Sequence, residues 1–265
     1  MIENNTLGTL QAYCIPNIHA PLILRNRPAF LATVSALNYA EERQLRLRLY
    51  RESVDEHLRS ADDALIIMGE IETRLGEERI VRVIDGDRDK YEIGWRDPDA
   101  VRVAFLRYGK ELRAVVNEAR AALESLAFEI ATALDASVQD SDRTVGFTSK
   151  MIDYTKKHPA TRPLADFIAN LHNPTYEEFD QIRQISYHRR VVPTLDDIRF
   201  HTVGGELISM PAVAIRFPDD VCALSPSFKN NRYAWIVALT GMFAVAHIID
   251  DAYGVATSAL GGSLE

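Results

Sequence analysis

Cysteine is almost missing from the sequence. Two residues in 265, Cys14 and Cys222, are too few for a cysteine-based zinc site and outline no disulfide framework. A reducing, cytoplasmic compartment is expected. Glycine and proline, at 13 and 11, are too sparse for a Pro/Gly-rich disordered chain. The opening MIENNTLGTLQAY has no basic stretch leading into an apolar core, so no signal peptide is expected. The most apolar run, YAWIVALTGMFAVAHII at 233–249, falls just short of a comfortable bilayer span, holds His247 and runs into Asp250 and Asp251. A buried helix or a subunit interface is expected there, and no membrane. Leu264 and Glu265 have the look of a cloning remnant and are given no role.

Positive charge is also short. Lys and Arg number 30 against 38 acids, for a net charge of −8, which argues against a broad nucleic-acid-binding surface. The balance is uneven: residues 150–190 carry seven Lys/Arg against five Asp/Glu, and include His158, His172 and His188. A solvated face explains so small an imbalance as well as a binding surface does.

What is abundant is helical periodicity. Residues 28–75, opening at Pro28 and running to Gly76, read as one long helix or two stacked ones. RIVRVIDGDRDKYEIGW alternates apolar and polar residues about an Asp-Gly turn and predicts a hairpin. Pro98 starts the clearest helix, about 98–136, where Leu112, Val115, Val116, Ala119, Leu123, Leu126, Ile130 and Leu134 form one stripe. Shorter helices are expected near 148–157 and 163–171. Another starts at HNPTYEEF and ends near Pro193. FHTVGGELISM and PAVAIRF read as short strands, and an apolar helix covers about 231–259. The expected fold is mainly α, an antiparallel helical bundle with small β hairpins. Its parts are an N-terminal helical extension packed on the same core (1–97), a helical bundle (98–193), and strands with the apolar helix (194–265).

Several chemistries lack their residues. VGGEL has no Lys-Ser/Thr to complete a phosphate loop, and no His-x-x-x-His or Glu-x-x-His pair offers helical metal-ligand spacing. IIDDAYG has Gly254 where an aspartate-rich magnesium-diphosphate motif needs a third acid. No metal or cofactor is expected. Trp95 and Trp235 read as packing anchors, and His247 as a core or interface histidine.

The stretch IRQISYHRR, 182–190, remains. Arg183, four intervening residues and His188, late in a helical chain, resemble the HEPN superfamily (higher eukaryotes and prokaryotes nucleotide-binding), whose signature is Arg, four to six residues, His. The resemblance covers residues 98–193; Gln184 stands where the family usually has Asn, Asp or His. It implies a metal-independent endoribonuclease acting as a homodimer, of the kind found in toxin and phage-defence systems, with an antitoxin or regulatory protein as a further partner. Arg183 and His188 would be catalytic. Gln184, Tyr187, Arg189, Arg190 and Glu118 would support them or bind RNA.

Helix geometry adds a constraint. Five steps turn about 500° and advance roughly 7.5 Å, so the two side chains cooperate poorly within one straight helix. A two-fold dimer could converge two copies of each. The alternatives are structural: Arg183 paired with Asp180 or Asp166, His188 at a helix C-terminus, and Glu118 solvated. The competing function is a non-catalytic bundle that binds a nucleotide, RNA or a protein.

Overall fold

The computed structural model describes residues 24–83, 91–139, 141–142, 144–189, 195–199, 202–203, 206–207, 212–217 and 233–261. Among them the fold is mainly α: seven α-helices, with six short strands in three two-stranded antiparallel ribbons. The chain forms two compact units, each stitched from three stretches. A helical unit takes Pro21–Asp62, Val115–Asp180 and Thr240–Glu265; a mixed unit takes Met1–Ala20, Asp63–Ala114 and Gln181–Leu239.

Residues 28–75 hold two helices. Helix α1 (Arg27–Ala36) has Pro28 in its first turn and is closed by the Leu37 amide on the Thr33 carbonyl, 3.2 Å. Asn38 follows at φ 47°, a left-handed conformation that asparagine tolerates and that turns the chain out of the helix. Helix α2 (Glu41–Glu77) restarts with Glu41 and Glu42 at its positive end and Arg74 in its last turn. Helix α3 (Pro98–Leu134) is capped by Asp97, whose Oδ1 accepts the amides of Asp99 and Ala100 at 3.1 and 3.0 Å.

In the helical unit the apolar stripe of α3 is the core. Val115, Val116, Ala119, Leu123, Leu126 and Ile130 are all at most 1 % exposed, and each large side chain contributes about 1.5–3 kcal/mol by leaving water. The antiparallel run of α2 against α3 is fixed by Tyr50 stacked on Phe128 (5.4 Å) and by Ser53 bonded to Ser125 (3.0 Å). The last carbonyls of α3 would otherwise lack donors. Arg43 reaches those of Thr132 and Ala133, each at 2.8 Å, and the Tyr39 hydroxyl shares the second at 2.7 Å.

Helices α4 (Lys150–Thr155), α5 (Arg162–Ala169) and α6 (Pro174–Arg189) follow, and α7 (Ala234–Gly261) comes last among the described elements. Helix α7 is long and apolar enough to cross a membrane, but 61 % of its most apolar window is packed inside the protein. Its Tyr253 lies 5.0 Å from the Phe30 ring, and Asp250 accepts the Asn26 amide at 2.7 Å. His247 is exposed instead of lying in the core. It falls four residues after the half-exposed Phe243, on the opposite side from buried Ile248 and Ile249.

In the mixed unit, β1 (Arg79–Val83) pairs with β2 (Tyr91–Trp95) as the alternation predicts; the Asp-Gly turn lies outside the described residues. The Arg79 guanidinium stands 4.1 Å from the Trp95 ring. Strand β3 (Leu195–Arg199) pairs with β6 (Ala212–Arg216), and β4 (Thr202–Val203) with β5 (Glu206–Leu207). Asp196 and Asp197 break the alternation expected of a strand, which hides β3 in the sequence. Trp235 does anchor the packing: its indole donates to the Leu65 carbonyl at 3.1 Å, over Gly69.

Candidate functional site

Helix α6 carries the Arg183–His188 pair, and its start is built with care. The Asn173 side chain accepts the Tyr176 amide at 3.0 Å as an N-cap, and His172 meets Glu177 at 3.1 Å. Arg120 of α3 donates to the Tyr176 hydroxyl at 2.8 Å, to Glu124 at 2.9 Å through Nε, and to the Phe147 carbonyl at 2.7 Å. Glu124 then accepts the Phe147 amide at 2.9 Å. Phe179 is 2 % exposed and occupies the space left by the missing side chain of Gly241 on α7; a Cβ there would collide with its ring. The first half of α6 is thus fastened by a cap, an arginine fork and a ring seated against a glycine.

The second half belongs to the mixed unit. Ile182 is buried, Arg183 half-buried and Gln184 exposed. Tyr187, His188 and Arg189 continue the same helix; Arg190 and the expected stop at Pro193 lie outside the described residues. One unbroken helix therefore separates Arg183 and His188 by about 140° around its axis and roughly 7.5 Å along it. Within a single chain the helix backbone places the two positions on different faces.

Glu118 is not a solvated bystander. It sits half-buried on α3, with its Oε2 2.7 Å from Nδ1 of His57 on α2. This carboxylate–imidazole pair fixes the ring's orientation and belongs to the helical unit. His158 and Asp135 make a second such pair at 3.1 Å, with the Ser137 hydroxyl also on His158 Nδ1 at 3.0 Å. A serine nucleophile would need the opposite ring nitrogen, so this trio closes off the end of α3 and is no catalytic triad. Burial raises the Asp135 carboxyl, but the Ser137 hydroxyl and amide and the His158 ring outweigh it and hold the group below its ordinary value.

Two carboxylates on apolar stripes, Glu129 fully buried and Glu72 half-buried, escape the sequence reading. Glu129 has no exposed surface; it accepts Arg51 Nε at 3.0 Å and the Tyr253 hydroxyl at 2.7 Å. Burial pushes its carboxyl up against the pull of Arg51 and Tyr253. Nearby, Arg27 grips both oxygens of Asp55 at 2.6 and 2.7 Å. In the mixed unit, Glu72 takes a hydrogen bond from the Tyr108 hydroxyl. Both signals are present in the sequence: Glu129 falls three residues after Leu126, and Glu72 lies between Met68 and Leu75, each on its helix's apolar stripe.

Among the described residues no group of three or more His, Cys, Asp or Glu is placed to hold a metal ion. No protein-family model matches the chain, and no curated protein or solved structure matches it significantly.

Proposed function

We propose that the protein is a metal-independent endoribonuclease of HEPN type, working as a cytoplasmic homodimer with Arg183 and His188 in its cleft. The observation that carries this reading is the unbroken helix Pro174–Arg189, which holds both residues in its last turns on different faces. That separation calls for two copies of the helix: Arg183 of one and His188 of the other converge across a two-fold axis. Gln184 is exposed beside Arg183, and Arg189 adds cationic charge at the same helix end. Tyr187 and Arg190 complete the RNA-binding set by sequence position. Glu118 is committed to His57 and orients that ring.

In the cleft, His188 takes the proton of a ribose 2′-hydroxyl as its oxygen attacks the adjacent phosphorus. Arg183 grips the phosphate oxygens and stabilises the charge gathering on them. The bond to the 5′-oxygen breaks and that oxygen is protonated, leaving a 2′,3′-cyclic phosphate and a 5′-hydroxyl. A toxin or phage-defence role, restrained by an antitoxin or regulatory protein, accompanies this activity. The test is incubation of the purified chain with RNA in excess chelator, with end-group analysis of the products. Cleavage that persists and leaves cyclic phosphate ends is expected. Loss of cleavage in chelator, restored by magnesium or manganese, overturns the mechanism. Binding of RNA without any cleavage favours the non-catalytic bundle.

A further inference from the structure

Helix α7 is buried on most of its surface, but within the helical unit one row of positions on it is not. Phe243, His247 and Asp251 are exposed and Val255 is half-buried, at steps of four residues. Met242, Val245, Ile248, Ile249 and Ala252, which lie between them in the sequence, are at most 4 % exposed. Phe243, at 47 %, is the one aromatic ring among the large exposed apolar side chains of the described residues. Asp250 is spent on Asn26, whereas its neighbour Asp251 faces solvent. Beside the second half of the row lies an open groove of about 750 Å³. Gly254, Val255 and Ser258 of α7, Pro163 and Phe167 of α5, and Asn26 line it.

The row is its own complement. Phe243 and Val255 stand symmetrically about Ile249, and so do His247 and Asp251. In two antiparallel copies related by a two-fold axis at that level, Phe243 meets the partner's Val255 and His247 meets the partner's Asp251. An apolar ring thus enters an apolar groove, and an imidazole N–H finds a carboxylate that accepts it. Each contact occurs twice. Rows of i, i+4 neighbours lie along each other when two helices cross at about −50°. A foreign partner would have to present the same chemistry in reverse order at the same pitch. A second copy does so by symmetry.

We propose that α7 is a two-fold pairing surface for a second copy of this chain, each copy seating Phe243 in the other's groove between α5 and α7, with His247 and Asp251 paired across the axis. The pairing does not rest on the ribonuclease reading, though it supplies the second copy which that reading calls for.

The test is sedimentation of the full chain over a dilution series, with circular dichroism to confirm that each variant keeps its helices. The wild type should pair. Phe243→Asp puts a charge where the ring enters the groove, and His247→Glu sets carboxylates against each other on both sides of the axis. Each should weaken the pair by about tenfold or more. Asp251→Lys removes the acceptor and should also weaken it. His247→Glu and Asp251→Lys combined in one chain set opposite charges across the axis again and should recover most of the affinity. A monomeric wild type overturns the proposal. So does a pair indifferent to Phe243→Asp or His247→Glu, or a combined variant as weak as either single one. RNA cleavage on the same samples separates the two readings. A wild-type pair that cuts no RNA removes the ribonuclease and leaves the α7 pairing standing. Cleavage by the unpaired His247→Glu chain removes only the shared cleft.

Discussion

A carboxylate with no exposed surface is worth more broken than intact as a measure of what it does. Glu129 holds Arg51 and the Tyr253 hydroxyl together, and its raised proton affinity shows that the burial is only partly offset. Glu129→Ala should therefore cost about 3–5 kcal/mol in urea denaturation, because Arg51 is stranded beside a cavity. Replacing Glu129 together with both of its partners, as Glu129→Leu with Arg51→Met and Tyr253→Phe, should recover most of that loss. A triple variant as unstable as the single one would show that the cluster supplies net stability of its own. At this scale the sequence is partly readable. Acids on an apolar stripe, such as Glu72 and Glu129, are visible anomalies. The His57–Glu118 pair is not, since it depends on how two helices align across 61 positions.

Among elements, the long helices are written in the sequence by their 3.6-residue stripes, and the first hairpin by its alternation. The break between α1 and α2 is signalled only by Asn38, and β3 by nothing that competes with its two aspartates. Helix α6 was expected and is present, but its fastening by Arg120 and by the Gly241 gap could not be read, because both are contacts with distant helices. The Arg183–His188 motif belongs to this scale, since its geometry is that of one helix. His188→Ala should lower the rate of RNA cleavage by about 10² to 10⁴ while leaving the melting temperature unchanged. Arg183→Lys should be nearly as damaging, because the ammonium keeps the charge but loses the two-pronged grip on phosphate. A large fall in melting temperature, or unaltered cleavage, would assign both residues to the architecture alone.

At the scale of the molecule, the reading of function requires a second copy. Sedimentation at micromolar concentration should give twice the mass of one chain, and cross-links placed within 176–190 should join two chains. A monomer, or a dimer in which those cross-links never form, would refute the shared cleft. The two-unit organisation was not legible beforehand. Helices α2, α3, α6 and α7 each contribute residues to both units, so no linker marks a boundary.

That stitching has a consequence during synthesis. Glu129 gains its Tyr253 hydroxyl only after 124 more residues have been made, and Asp250 reaches Asn26 across 224. At a translation speed of about 5–20 residues per second, the α3 carboxylate waits roughly 6 to 25 seconds for that partner. Through that interval Glu129 has Arg51 within reach but not the hydroxyl of α7. The helical unit is thus completed only once its last stretch has been synthesised.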